Sequence, residues 1–299
     1  MTNQPGNALR TFFNPTVFSF ELLSVATLVF LVFLWKLFAV ILKKQHNKIF
    51  ISSGYTIATL LAFYLPWAFS SIASQTSVYP FLNPLSVFYL SVLKGLANSG
   101  QVLNSSNTII GSPLLKGIPY ILTGQLIGGF LGFGLFVLLF YLIKKVNQND
   151  LENNINHLTM TMITRFNDKS SIKWYTIKEA AFITMLMLLL PLISMTNTAF
   201  YKTNDFQVKL IEGLVVGVII FASSFVNFFC FHLFFLIINI IFKTVSYLKL
   251  EKQLKQESDY YKDLTKFFIV LILSIIIPMI LAFLAILIKM ASGVYISVS

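Results

Sequence analysis

One short apolar segment, which contains Leu-Asn-Pro-Leu at 82–85, constrains the fold of this chain most strongly. It covers 81–93, and a helix that crosses a bilayer needs about 20 apolar residues, so it is too short to cross. Pro84 suits the first turn of a helix, where its missing N–H is not needed. Asn83 can cap that turn with its side-chain oxygen. The pattern predicts a re-entrant half-helix near 81–97, with the positive end of its dipole at membrane depth.

The composition is typical of a membrane protein. Of the 299 residues, 57% are hydrophobic and 11% are charged, whereas a soluble domain carries about 25% charged residues. We therefore expect an all-α integral membrane protein with six transmembrane helices. Abundant Phe, Ile, Asn and Lys are typical of an AT-rich genome, which favours the plasma membrane of a low-GC bacterium. The six long apolar segments lie at about 17–42, 51–74, 117–143, 177–198, 210–242 and 267–290.

The chain divides into two halves around a polar stretch. We assign 1–146 to the first half, 147–176 to a linker loop and 177–299 to the second half. Glu21 and Glu179 each lie near the start of the first apolar segment of their half. Carboxylates within a membrane segment are rare and usually face the bundle interior. The pair indicates two related sites in inverted halves, or else two interfacial carboxylates stabilised by helix dipoles.

The third apolar segment contains a polar side chain and a row of small residues. Gln125 lies inside this segment and needs a hydrogen-bond partner, for which we expect a loop carbonyl. Gly128 and Gly132 are four residues apart, so they share one helix face and allow another backbone to approach closely.

Several classes of function are disfavoured. Cys230 is the only cysteine, which excludes an internal disulfide and a cysteine-built metal site. The net charge of +11 lies mainly in the loops, where its first explanation is attraction to anionic lipid rather than to nucleic acid. Paired polar groups at membrane depth, which an intramembrane enzyme needs, are scarce. We expect no enzyme activity, no cofactor and no metal.

Four places in the chain resemble the major intrinsic protein family, which comprises the aquaporins and glycerol facilitators. The segment 20–27, with Glu21, resembles the start of the family's first helix, and 81–85 resembles its first Asn-Pro-Ala box. The block 124–132 is similar to the family's third helix, and 212–217, with Gly213 and Gly217, is similar to the start of its fifth. Glu179 falls where the family's second glutamate belongs.

The second half departs from the family pattern, because it contains no second Asn-Pro-Ala. Asn227 and Asn239 are the candidates for its asparagine, and neither is followed by the family's selectivity arginine. Without that fixed cation, water or glycerol selectivity does not carry over.

The resemblance implies a passive channel for a small neutral solute in a homotetramer within the lipid bilayer. Asn83, Pro84 and Leu85 would line the pore, together with Asn227 or Asn239. Pore-supporting residues would be Glu21, Glu179 and Gln125, and helix-packing residues Gly128, Gly132, Gly213 and Gly217. Two alternatives remain open: a substrate-binding membrane subunit of a multi-component importer, and a channel relative that no longer conducts.

The charge distribution bears on orientation. The first, third and fifth loops, with the helix ends beside them, hold 15 of the 22 Lys and Arg residues. The positive-inside rule therefore places these loops in the cytoplasm, whereas the family keeps both termini there. The sequence leaves the orientation open.

Overall fold

The structure, a computed structural model, describes residues 8–74, 80–97, 115–148, 157–164, 170–195, 205–248 and 259–292. The regular secondary structure of this part of the chain is helical, without strands, as expected for an all-α protein. Residues 149–156 and 165–169 of the predicted 147–176 linker lie outside the described residues. The described helices, numbered here in chain order, are α1 Pro15–Ile41, α2 Lys48–Ser74, α3 Pro84–Ala97, α4 Ile118–Val146, α5 Met160–Thr164, α6 Ile172–Met195, α7 Asp205–Ser224, α8 Leu233–Leu248 and α9 Tyr260–Ser292.

Four of these helices are long and apolar enough to cross a membrane. They cover Pro15–Ile41, Lys48–Phe69, Ile118–Val146 and Tyr260–Ile288. The structure therefore supports the prediction of a helical membrane protein, with four helices that could cross the membrane. Helices α6 and α7 contain 24 and 20 residues but do not meet the same criteria over their described parts.

The predicted apolar segment 210–242 is not one continuous helix. Helix α7 ends at Ser224 and α8 begins at Leu233, with a loop between them. Asn227 and Phe228 in this loop have φ angles of 67° and 53°. Left-handed backbone of this kind cannot continue a right-handed helix, so the chain turns although its residues remain apolar. Hydropathy alone did not reveal this interruption.

Helix α3 is the short apolar helix that the Asn-Pro pair predicts. It begins at Pro84 and has 14 residues, which gives a length of about 21 Å at 1.5 Å per residue. The hydrocarbon core of a bilayer is about 30 Å thick, so α3 alone does not cross it. Helix α8 has 16 residues and is short in the same way.

The glycines of α4 set its distance from α1. A Cβ atom added to Gly128 would lie 2.2 Å from the Leu22 carbonyl oxygen, and one added to Gly132 would lie 2.2 Å from that of Ala26. No side chain fits at either position, so the two backbones are in direct contact.

Gly213 and Gly217 of α7 lie against side chains of α2. A Cβ atom added to Gly213 would lie 2.2 Å from Cδ2 of Leu60, and one added to Gly217 would lie 2.6 Å from Cγ2 of Thr56. These two glycines therefore accommodate side chains rather than backbone, which makes this contact less rigid than that of α1 with α4.

Each short helix packs against long helices from the other half of the chain. Phe234 of α8 belongs to a buried cluster with Phe33 of α1 and Phe136 of α4. Leu85 of α3 belongs to a second cluster with Ile183 of α6 and Ala282 of α9. The N-terminal ends of α3 and α8 are brought together inside the bundle by this crossed packing.

Candidate functional site

The candidate site is the place where the loop before α3 meets the loop before α8. Asn83 directly precedes α3, and its Oδ1 accepts a hydrogen bond from the Leu85 backbone N–H at 3.0 Å. His232 directly precedes α8, and its Nδ1 accepts one from the Phe234 backbone N–H at 3.1 Å. Asn83 Oδ1 and His232 Nδ1 thus each accept from a backbone N–H group that has no partner within the first turn of its helix. His232 holds at α8 the position that Asn83 holds at α3.

Asn83 also contacts the loop before α8. It donates a hydrogen bond from Nδ2 to the Phe231 carbonyl oxygen at 2.6 Å. Phe231 directly precedes His232, so this hydrogen bond joins the two capped loops. We call this set of contacts among residues 81–83 and 230–232 the junction.

A buried carboxylate holds the loop before α3. Glu21 of α1 is fully buried and accepts hydrogen bonds from the backbone N–H groups of Phe81 and Leu82, the latter at 3.2 Å. Gln125 of α4 donates from Nε2 to the same carboxylate at 2.9 Å. The partner of Gln125 is thus Glu21 and not the loop carbonyl that we expected. Leu82 has a φ of 60°, and these bonds stabilise that sparsely populated backbone.

A second buried carboxylate holds the loop before α8. Both oxygens of Glu179 lie within hydrogen-bond distance of the Cys230 backbone nitrogen, at 3.1 and 3.0 Å. The neighbouring Lys178 donates to the Phe228 carbonyl oxygen at 2.8 Å, and its Nζ lies 3.6 Å from Glu179. Lys178 and Glu179 are 4% and 1% exposed, so this ion pair lies inside the protein.

The two carboxylates act at matching places. Glu21 bonds the N–H groups of the two residues before Asn83, and Glu179 bonds the N–H group of the residue two before His232. This match supports the pairing of Asn83 with His232 independently of the caps.

A cavity of about 590 Å³ lies on one side of the junction. Phe228, Phe229 and Phe231 of the loop before α8 form part of its wall, and Cys230 lies between them. Residues 45–47, between α1 and α2, and Lys48 at the start of α2 also line this cavity. Asn83 and His232 are not among the lining residues, so the cavity ends at the loop.

The other predicted site residues are distributed around this arrangement. Asn239 is buried, lies within α8 beyond its first turn, and lines the cavity. Asn227 lies in the loop before α8 and also lines the cavity. Neither asparagine precedes a helix as Asn83 does. Pro84 forms the first turn of α3, whereas Leu85 is a core residue that is 2% exposed.

Sequence reasoning did not identify His232 as a site residue, because a histidine in an aromatic run is typical of packing. The available signal was its position directly before the apolar residues 233–242 and beside the only cysteine. Within the described residues, no group of three or more His, Cys, Asp or Glu side chains is arranged to hold a metal ion.

No family model matches the chain, and no curated protein matches it at a significant level. The junction and the cavity are the features of the molecule that bear on its function.

Proposed function

We propose that this protein is a passive transmembrane channel for a small neutral solute, with an architecture like that of the major intrinsic proteins. In this proposal α3 and α8 are re-entrant half-helices that meet near the membrane midplane. Helices α1, α2, α4, α6, α7 and α9 are the six crossings, arranged in two inverted halves. The matching caps at Asn83 and His232, joined by the hydrogen bond from Asn83 to the Phe231 carbonyl, carry the proposal.

The chemistry of the junction favours a neutral, hydrogen-bonding solute. Two helix N-termini would place partial positive charges at one point, which repels cations. The Asn83 amide has two N–H donors, and one of them is used by the Phe231 carbonyl. The second donor can serve a permeating oxygen atom. We therefore assign solute contact to Asn83 and a matching capping role to His232.

The supporting residues have physical roles in this proposal. A loop at membrane depth must satisfy its backbone N–H groups within the protein. Glu21, with Gln125, does this for the loop before α3, and Glu179 does it for the loop before α8. Water-filled passage between such loops requires that their amides be held in place.

The setting of the channel follows from the same proposal. The protein would cross the plasma membrane of a bacterium several times, in contact with the lipid bilayer, and would assemble as a homotetramer with one pore per subunit. The oligomer rests on the family resemblance alone.

A second candidate function is favoured by the cavity. Ligand pockets usually measure about 300–1,000 Å³, and this cavity of about 590 Å³ ends at the aromatic loop before α8. A pocket of this size suits a substrate-binding subunit of a multi-component importer. A channel relative that no longer conducts would show the same aromatic wall without binding a substrate.

Stopped-flow light scattering on proteoliposomes tests the proposal. The protein is reconstituted and exposed to gradients of water, glycerol and urea. A channel gives flux above that of empty liposomes, with a low activation energy. Absence of flux for all three solutes, with folded protein in the liposomes, overturns the channel and favours the importer subunit.

The variant Asn83→Ala and its control Asn14→Ala make the test specific. Asn14 caps α1 through bonds from Thr16 and Val17 at 3.1 and 3.2 Å, so its loss also removes one helix cap, but away from the junction. We expect Asn83→Ala to change flux much more than Asn14→Ala at equal folded yield. Equal flux in both variants would show that Asn83 does not contact the solute.

A further inference from the structure

The cavity beside the junction lies between two buried hydrophobic clusters of the bundle. Its wall includes Leu28 and Phe235, which belong to the cluster of α1, α4 and α8. It also includes Ile220 and Phe229, which belong to the cluster of α3, α6 and α9. The space of about 590 Å³ is therefore bounded by apolar surface on two sides.

Two aromatic side chains pack against both clusters. Among the described residues, Tyr55 of α2 and Phe231 of the loop before α8 are the partly buried hydrophobic residues that contact each of them. A side chain between two close-packed cores is ordinarily covered on all sides. Both residues nevertheless remain partly exposed, and both line the cavity. Aromatic surface is therefore open to the cavity between the clusters.

Two neighbouring rings stand at steep angles to these side chains. The ring centres of Tyr55 and Phe228 lie 5.8 Å apart, with 52° between the ring planes. Those of Phe231 and Phe229 lie 6.1 Å apart, with 89° between the planes. Aromatic rings attract each other when they are stacked with an offset or placed edge to face. A flat aromatic molecule that stacks on one ring of such a pair can therefore also meet the other ring edge to face.

The backbone holds one of these rings in a costly conformation. Phe228 has a φ of 53°, and left-handed backbone is rare for a bulky residue. Its N–H group donates to the Ser223 carbonyl oxygen at 2.8 Å, and its carbonyl oxygen accepts from Lys178 at 2.8 Å. Sparsely populated backbone that the surroundings enforce is frequent at ligand sites. In this case it keeps the Phe228 ring against Tyr55 at the cavity wall.

A polar group accompanies the aromatic surface. The Tyr55 hydroxyl group has no hydrogen-bond partner among the described residues, although a phenol can both donate and accept. A ligand with a hydrogen-bonding substituent beside its ring can pair with this hydroxyl group. The volume of about 590 Å³ is within the usual range of pockets for small organic ligands.

We infer that this cavity binds a small molecule that carries a flat aromatic ring and a hydrogen-bonding substituent. The rings of Phe231 and Tyr55 contact the aromatic ring of the ligand, and the Tyr55 hydroxyl group contacts its substituent. The site rests on the cavity and not on the channel, and it names a ligand class for the second candidate function.

Ligand-observed NMR, by saturation transfer from the full chain in phosphatidylcholine nanodiscs, tests this inference, with empty nanodiscs as the blank. The probes are benzamide and cyclohexanecarboxamide, which carry the same carboxamide group on rings of similar size, only the first of which is aromatic. We expect benzamide to bind about threefold to tenfold more tightly, because aromatic contacts add to the effect of the area that either ring buries. Equal binding of the two amides, or binding of neither, overturns the inference.

Phenylalanine variants locate the site. Phe231→Leu removes one ring but keeps an apolar side chain, and we expect it to lower the affinity for benzamide about threefold or more while the affinity for cyclohexanecarboxamide stays the same. The control is Phe242→Leu. Phe242 is also partly buried and lies edge to face with another ring, that of Phe133 at 6.0 Å, but it is not a lining residue. An equal loss of benzamide affinity in both variants would contradict the assigned site.

Substitutions at Tyr55 keep the test decisive if Phe231→Leu does not fold. Tyr55→Phe retains the ring and should retain the preference for benzamide, with weaker binding of both amides because the hydroxyl group is lost. Tyr55→Leu removes the ring and should lose the preference, and a preference that survives in this variant overturns the inference. Flux is measured separately in proteoliposomes. Benzamide binding without flux would overturn the channel alone, and flux without benzamide binding would overturn this site alone.

Discussion

Replacement of Gly128 by alanine should separate α1 from α4. The added Cβ would lie 2.2 Å from the Leu22 carbonyl oxygen and 2.9 Å from the Leu22 Cα. Ordinary contact begins at 3.4 Å, so the backbones would have to move apart by about 1 Å. A backbone carbonyl cannot rotate away as a flexible side chain can, so the two helices have to move apart along their contact.

The expected loss of stability follows from two opposing effects. Alanine is about 1 kcal/mol more favourable than glycine within a helix. Overpacking costs about 1–3 kcal/mol, and a gap of 0.5–1 Å also forfeits a quarter to a half of each dispersion contact along the seam. We expect Gly128→Ala to be about 2 kcal/mol less stable than a matched variant in which the same added methyl group meets nothing.

Gly134 provides that matched variant. It lies on α4, and a Cβ atom added there would meet no atom within 4 Å. Unfolding in mixed micelles with increasing sodium dodecyl sulfate, followed by circular dichroism, measures both variants against the parent. Gly134→Ala should be neutral or slightly stabilising. If Gly128→Ala unfolds with the same free energy as Gly134→Ala, then α1 and α4 are not in backbone contact as described.

Three further predictions concern the loop-holding residues and use the same unfolding assay. Glu21→Gln should destabilise the protein by about 1.5–3 kcal/mol, because a neutral amide replaces a carboxylate that accepts three hydrogen bonds; no change would refute its role. His232→Ala should lower the free energy of unfolding by about 1 kcal/mol, because the α8 cap is lost. His232→Asn should restore most of this loss, since asparagine also caps helices. Equal stability of the two variants would contradict the capping role. Lys178→Met should lower the free energy of unfolding by about 3–5 kcal/mol, because the ion pair with the buried Glu179 carboxylate is lost. The double variant Lys178→Met with Glu179→Gln should be less destabilised than Lys178→Met alone.

Helices whose position depends on neighbouring residues could be predicted from the sequence. Pro84 with Asn83 before it indicated a short helix beginning at Pro84, and the structure begins α3 there. The apolar runs near 17–42, 51–74, 117–143 and 267–290 correspond to the four helices long enough to cross a membrane. In these cases the prediction depends only on the residues of the helix itself and those directly before it, which a single sequence contains.

The partners of buried polar groups could not be predicted in the same way. Gln125 and Glu21 are 104 residues apart, and only the packing of α4 on α1 brings them together. Likewise the break between α7 and α8 occurs in an uninterrupted apolar run, because the stabilising groups, Lys178 and Glu179, come from a distant helix. The capping role of His232 could not be predicted for the same reason. The histidine caps α8 only because the chain breaks between α7 and α8, and the groups that stabilise this break are distant in sequence.

The lysines that line the cavity also bear on the orientation of the protein. Lys48, Lys178 and Lys266 belong to the loops and helix ends that favour a cytoplasmic location, yet all three line the cavity. If these three are set aside, the first, third and fifth loops still hold twice as many Lys and Arg residues as the remaining loops and termini. The charge bias is therefore not a by-product of the pocket. Because residues 45–48 and Lys266 both line the cavity, the positive-inside rule predicts that the cavity lies toward the cytoplasmic side of the membrane.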